Sequence, residues 1–423
     1  MRALATVERR HMNNIVVQKY GGSSVADVEK LKAVARRVVQ TADQGKRVVV
    51  VVSAMGDTTD ELLALARKVT SDPPRRELDM LLSVGERISM SLLSMAIQDL
   101  GREAISFTGS QCGIITNDRH SGARIIEVRP YRIQDELDRG RIVIVAGYQG
   151  VSYKREVTTL GRGGSDTTAV ALAAALDAEY CEICSDVDGV LSADPRVVER
   201  PVKLEEVSYE EMQALAEHGA KVLNAQAVEW ARRAKIALFS RKTSGEGTGT
   251  LVCAAPREER IVGVAGKKDL VRVSVRDGAL GARDLLGFLE QQGVILDTFM
   301  QPPRGGPFCL FSTEDLPDYG KVRASLREAF GEKVLVEEGL GSVTLVGWGA
   351  GADPAVVKRA LHVAASEGDL VRGFETRPLF VSFCCDAAHV DRLTRALHRE
   401  FVERALRPRD DSDPEDMARS VVG

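Results

Sequence analysis

The sequence has no excess of either charge: 57 Lys and Arg stand against 61 Asp and Glu, a formal net charge of -4. That removes the electrostatic footprint expected of a nucleic-acid binder or of a protein held to an anionic membrane. No stretch approaches the ~18 consecutive apolar residues of a membrane helix. Met1 to Asn14 is polar and basic and lacks the apolar centre of a signal peptide. The seven cysteines, at 112, 181, 184, 253, 309, 384 and 385, are odd in number and repeat no spacing. Cys181 and Cys184 form a C-x-x-C, but on a strand residues three apart face opposite sides. They read as buried thiols, which suits a reducing, cytoplasmic compartment. Neither G-x-x-x-x-G-K-[ST] nor G-x-G-x-x-G-x-V occurs, so two familiar phosphate-loop signatures are missing.

What is present is ordinary globular usage, 44% hydrophobic and 28% charged over 423 residues, enough for two or three domains. Up to about residue 255, strand and helix signals alternate. Val48 to Val52 and Ile142 to Ala146 are unbroken apolar runs, the mark of strands buried on both faces. Leu78 to Leu100 reads as one long helix, and Asp166 to Leu176 as an Ala-rich one. Ser208-Tyr209-Glu210-Glu211 is a capping box. This pattern predicts an α/β layered domain with a largely parallel sheet over 15–255.

From about 265 the pattern changes to β-α-β-β-α, then repeats it, giving two ferredoxin-like α+β units over 265–338 and 339–405. Residues 1–14 are expected as an extension and 406–423 as a disordered tail.

Two glycine clusters stand at expected strand ends, where open α/β sheets place ligands. Lys19-Tyr20-Gly21-Gly22-Ser23-Ser24 lets the backbone approach a phosphate, with a helix start beyond it and a mobile ammonium on Lys19. Thr158 to Thr168 carries Gly161, Gly163 and Gly164, a nest of backbone donors, with Arg162 able to grip a carboxylate or phosphate. Asp166 either caps the following helix or orients a lysine or Mg²⁺. A third run, Ser185 to Arg196, holds three acids and an arginine; it is either plain turn chemistry or the rim of a nucleotide site.

In order along the chain, K-Y-G-G-S-S-V, V-V-S-A-M-G-D-T-T-D, L-S-V-G-E-R, T-T-L-G-R-G-G-S-D-T-T-A, D-V-D-G-V-L-S-A-D-P-R and G-A-K-V-L resemble the aspartate kinases of the amino-acid kinase superfamily. The resemblance covers Ile15 to Val252, and the duplicated C-terminal part resembles the tandem ACT domains of those enzymes. It implies the three-layer fold of that superfamily and ATP-dependent phosphorylation of the L-aspartate β-carboxylate, with Mg²⁺ carried mainly by the ATP phosphates. It also implies roles. Lys19, Gly21, Gly22 and Ser23 meet the transferring phosphate, and Asp166 orients Lys19. Ser53 and Thr59 meet aspartate, Glu86 its ammonium and Arg162 its α-carboxylate, with Gly163 and Ser165 completing the pocket. Ser185, Asp186, Asp194, Arg196 and Lys221 line the ATP side. Asn117-Asp118-Arg119-His120 with Arg124 matches a loop near the substrate.

Glu86 has an alternative as the glutamate of a capping box opened by Ser83. The sequence departs from the family at Asn224-Ala225-Gln226, where His-Pro-Arg is usual, and at Leu191, where an aromatic is common. The ACT half departs further. A lysine or threonine effector, or mere homo-oligomer formation through these units, are its two expected uses. Other amino-acid kinase activities and a catalytically silent amino-acid sensor are the competing readings.

Overall fold

The computed structural model describes residues 14–161, 163–245, 247–255, 258–276, 278, 280–314, 316, 318–368 and 370–406. Arg162 and most of the expected extension and tail, residues 1–13 and 407–423, therefore lie outside the described residues. The chain divides into two units. The first holds residues up to Leu191 and Lys203–Arg257; the second holds Ser192–Val202 and the remainder.

The first unit opens with β1 (Ile15–Tyr20), α1 (Val28–Asp43), β2 (Arg47–Val52), α2 (Thr58–Val69), α3 (Arg75–Leu82) and α4 (Val84–Asp99). Next come β3 (Ala104–Phe107), β4 (Ile114–Thr116), β5 (Ile125–Val128), α5 (Tyr131–Asp138), β6 (Ile142–Ala146), β7 (Gln149–Ser152), β8 (Val157–Thr159) and α6 (Gly164–Ala175). It closes with β9 (Tyr180–Ser185), β10 (Val190–Leu191), β11 (Lys203–Leu204), β12 (Glu206–Ser208), α7 (Tyr209–Glu217), α8 (Ala225–Ala234), β13 (Leu238–Lys242) and β14 (Thr250–Cys253).

Eight of these strands form one sheet in the order β12-β14-β13-β9-β1-β2-β6-β3, and only the β13–β14 pair is antiparallel. The apolar runs explain the layers. On one face Val16, Tyr20, Val48, Val50, Val52 and Ile144 pack against α1 and α4. The alternate face of β1 meets α6, whose alanines and small residues are buried from Gly164 to Ala173 and allow close approach. The expected long helix is two, α3 and α4, broken at Ser83. This segment, 75–99, is apolar and long enough by composition to cross a membrane, contrary to the reading that none is. It is half-buried in the unit and carries buried Asp79 and Glu86. A smaller sheet, β5-β4-β7-β8, lay below the sequence signal because its strands are three or four residues long.

The second unit contains β15 (Gly263–Val275), α9 (Ala282–Gln292), β16 (Thr298–Met300), β17 (Phe308–Ser312), α10 (Tyr319–Phe330), β18 (Val334–Val346), α11 (Pro354–Ser366), β19 (Val371–Arg377), β20 (Phe380–Asp386) and α12 (Val390–His398). Its sheet runs β16-β17-β15-β18-β20-β19 and is antiparallel throughout. The two long strands are shared. Leu270–Val275 pairs with Val334–Leu340, whereas Gly263–Lys267 pairs with Ser342–Val346 across a register break. The two cores divide accordingly. Val271, Val273 and Val334 pack with α9 and α10, and Val264, Val343 and Leu345 with α11 and α12. The two ferredoxin-like units are thus nested: the start of β15 supplies a strand to the later one.

The excursion 192–202 is fastened inside this second unit. Ser192 Oγ lies 2.8 Å from His398 Nε2 and accepts the Val202 N–H at 2.8 Å, and Val264 N–H donates to the Ser192 carbonyl.

Candidate active site

In the run of parallel strands β13-β9-β1-β2-β6 every carboxyl end lies on one edge of the sheet, where the glycine clusters fall. Backbone bonds lace that edge: Thr243 N–H to Ser185 O, Gly21 N–H to Cys184 O, Ser53 N–H to Tyr20 O and Gly147 N–H to Val52 O. Gly22 sits in a 3-10 turn, Gly22–Val25, and accepts from Gly56 N–H. A Cβ on Gly22 would stand 2.9 Å from the Ala54 carbonyl and 3.1 Å from that of Gly56, so only glycine fits.

Lys19 points to the α6 face and its ammonium lies 2.7 Å from Asp166 Oδ1. The two side chains are only 13% and 10% exposed. Burying such a pair gives little net stability, because desolvation offsets the attraction. Asp166 does not cap α6: the N-cap is Gly163, left-handed at φ 71°, with no side-chain cap bond. Ser165, buried in the first turn of α6, packs on Gly147, where a Cβ would stand 2.6 Å from its hydroxyl.

Glu86 is 3% exposed. Its Oε1 accepts the Ala54 N–H at 3.2 Å, while Oε2 is buried and accepts no hydrogen bond among the described residues. Burial pushes its carboxyl up to about 7. The capping-box alternative fails, since the Ser83 hydroxyl donates to Met80 O and makes no cap bond. The close passage of α4 by residue 54 needs glycine at 85, where a Cβ would come 2.7 Å from Ala54 Cβ.

The structure thus gathers Lys19, Gly21, Gly22, Ser53, Glu86, Ser165, Asp166 and Ser185 along one rim. Ser23 is exposed in the 3-10 turn, and Thr59 is half-buried in the first turn of α2. Asp186 follows Ser185 and is exposed. Lys221 is exposed in the segment before α8. Asp194 and Arg196 are not in this unit. They belong to the second, where the Arg196 guanidinium binds both Asp194 carboxylate oxygens at 2.7–3.2 Å.

Several supporting residues escaped the sequence reading. Asp79, fully buried, binds His120 Nδ1 at 2.6 Å, the Thr159 hydroxyl at 2.6 Å and the Ser121 N–H at 3.0 Å. It pins the 117–124 loop to the strand that leads into the second glycine cluster. Arg37 on α1 donates to the Lys242 and Thr243 carbonyls at 2.6 and 2.9 Å and pairs with buried Glu182 at 3.1 Å. Thr243 in turn meets the Ser24 hydroxyl at 2.5 Å and donates to Ser185 O at 2.8 Å. It ties the first glycine turn to the end of β9. Asn224, a departure from the family pattern, caps α8 by accepting from Gln226 and Ala227 N–H. Its amide packs on Gly163, where a Cβ would stand 2.3 Å from Asn224 Nδ2.

The profile of the amino acid kinase family matches residues 14–239. The aspartokinase of Mycobacterium tuberculosis is 44% identical over 407 residues, 92% of this chain and 96% of the relative. Escherichia coli aspartokinase III bound to aspartate and ADP superimposes with a TM-score of 0.79 at 25% identity, covering 91% of this chain and 99% of that one. The same enzyme bound to lysine and aspartate gives 0.70 at 25% identity, over 92% and 100%. With more than half its length matched by the family profile and nine-tenths aligned to a relative at 44% identity, the chain belongs to the amino acid kinase family and, within it, to the aspartokinases.

Proposed function

We propose that this protein transfers the γ-phosphoryl group of ATP to the β-carboxylate of L-aspartate, giving 4-phospho-L-aspartate and ADP. The observation that carries the reading is the buried Lys19–Asp166 pair on the same rim as a buried glutamate with an unpaired oxygen. The E. coli relative, captured with aspartate and ADP, supports it.

The β-carboxylate, with a pKa of ~3.9, is already ionised at neutral pH and needs no general base. One of its oxygens bonds to the γ-phosphorus as the bond to the β-phosphate oxygen breaks, and ADP leaves with that electron pair. The obstacle is an anion approaching an anion, so catalysis is positioning and charge neutralisation. Lys19 supplies the cation, and Asp166 holds its ammonium in place without accepting a proton. Backbone N–H groups of Gly22 and Ser23 receive the phosphoryl oxygens, while Gly21, whose N–H faces Cys184 O, leaves the space beside the Lys19 ammonium open. Glu86 pairs its open oxygen with the substrate ammonium, and Arg162 takes the α-carboxylate. Ser53, Thr59, Gly163 and Ser165 shape the pocket between them. On the nucleotide side stand Ser185, Asp186 and Lys221. Magnesium, carried mainly by the ATP phosphates, would neutralise their charge.

We assign catalysis to residues 15–255 and effector sensing to the nested ACT units, with lysine the leading effector because a relative is captured with it. Pairing of copies through these units and a cytoplasmic location complete the reading. Hydroxamate trapping with ATP and a panel of aspartate, glutamate and N-acetylglutamate tests the substrate. Aspartate should exceed N-acetylglutamate, whose ammonium is blocked, by ~10⁴ in kcat/KM, and glutamate, one methylene longer, by roughly 10- to 200-fold. A preference for N-acetylglutamate would overturn the assignment. Repeating the assay with lysine or threonine decides the effector.

A further inference from the structure

Asp79 stands in the last turn of α3 and is fully shielded from water. Taking an ionised carboxylate out of water is costly unless its acceptor positions are filled. Here both oxygens are engaged. Oδ1 accepts from the Thr159 hydroxyl at 2.6 Å and from the Ser121 N–H at 3.0 Å, and Oδ2 lies 2.6 Å from His120 Nδ1. A carboxylate only accepts, so the shared proton sits on Nδ1. Ser121 is left-handed, at φ 61°, which is unfavourable for a residue with a side chain. Asp79 holds it there, its two oxygens 3.0 and 3.2 Å from the Ser121 nitrogen.

These donors lead to one place. Thr159 ends β8, two residues before Gly161, and its carbonyl accepts the Ala123 N–H at 2.8 Å. Gly122 lies against Gly161, where a Cβ would stand 3.7 Å from Gly122 Cα. Gly161 O receives the Gly164 N–H at 3.0 Å and closes the turn from which α6 starts. On its other side the Asp79 carbonyl accepts the Ser83 N–H at 3.1 Å, where α3 gives way to α4 and Glu86. We propose that Asp79 is the positioning residue of the amino-acid half of the site: through Thr159 and the 120–123 turn it sets the second glycine cluster at the reach from Glu86 that an α-amino acid requires. The proposal rests on the assignment of that cluster and of Glu86 to the substrate; Asp79 itself touches no substrate. The nucleotide half has separate ties, since Arg37 and Thr243 bind the ends of β9 and β13 and the first glycine turn. The two halves should therefore respond independently. A merely structural tie would lower stability and the active fraction with no preference between substrates, whereas a positioning tie shows in the KM of one of them.

Steady-state kinetics of the full chain, with aspartate and ATP varied in turn, test the proposal on Asp79→Asn, Thr159→Val and His120→Ala, each checked for fold by thermal melting. Asp79→Asn keeps the shape but turns an NH₂ group toward a donor, and should raise KM for aspartate roughly 10-fold or more while KM for ATP stays within about twofold. Thr159→Val and His120→Ala each remove one tie and should raise KM for aspartate about 2- to 10-fold. His120→Asn, which returns an N–H near the position of Nδ1, should recover most of the loss seen in His120→Ala. Should Asp79→Asn fail to fold, the other two variants decide. In folded variants, an unchanged KM for aspartate, an equal rise in both KM values, or a fall in kcat alone would overturn the positioning role and leave the assignment of substrate standing. A natural protein that does not phosphorylate aspartate would overturn both.

Discussion

Burial gives Glu86 a measurable signature. Desolvation lifts its carboxyl from 4.5 to about 7, against the pull of backbone N–H groups at Glu86 and Ala54. A folded-state value above the unfolded one means the folded protein holds the extra proton. Glu86 therefore contributes stability that is fully present below pH 4.5 and is lost as pH rises through about 7. Glu86→Gln should flatten that part of the stability–pH curve of the ligand-free chain, read by thermal melts from pH 5 to 8. The same residue must be ionised to hold an ammonium, so kcat/KM for aspartate should fall below about pH 7, and Glu86→Gln should lower it by roughly 10² or more. Lys19, Glu86 and Asp166 were legible because they sit in dense local motifs. Asp79, Arg37 and Thr243 were not. Each reads as an ordinary helix or loop residue, and the groups that give it a role lie 41 to 219 residues away. Thr243→Val removes one hydroxyl at constant shape; it should raise KM for ATP several-fold while leaving KM for aspartate near its natural value.

Elements that face a single sheet were readable, and those that depend on distant pairing were not. The valine run of β2 and the alanines of α6 declare burial on their own. Val334–Leu340 does not: Glu337, Glu338 and Gly339 dilute its apolar residues, and it becomes a strand because Leu270–Val275 lies beside it. The long-helix reading failed at Ser83 for a related reason. Nothing local breaks the chain there; the turn brings Glu86 to the Ala54 N–H. Tight passages of this kind make firm predictions. Gly22→Ala places a methyl against two carbonyls of the Ala54–Gly56 turn, neither a flexible end. It should depress kcat/KM for ATP by 10-fold or more and destabilise the chain by ~1–3 kcal/mol, read by denaturant titration. Asn224→Ala removes the cap of α8, a loss of about 1 kcal/mol, and the side chain that backs Gly163.

For the whole chain, the sequence showed two kinds of architecture but not how they interleave. The duplicated pattern was visible because each copy keeps its own β-α-β-β-α order. The nesting was hidden, because two strands, β15 and β18, each serve both copies through different halves. The excursion 192–202 was hidden as well: its motif continues smoothly from Ser185, and the bonds of Ser192 to His398 and to the Val264 N–H, distant in sequence, draw it into the second unit. Loss of that anchor in His398→Ala should lower the melting temperature of the second unit more than that of the first, read by hydrogen exchange on each. Everything proposed for the first unit turns on one cation at the end of β1. Steady-state kinetics of Lys19→Ala, at a folded fraction matched by circular dichroism, test it most directly. A loss of 10² to 10³ in kcat with ATP and aspartate is predicted, the size of removing one preorganised charge from a phosphoryl-transfer transition state. Turnover close to that of the natural protein would contradict it.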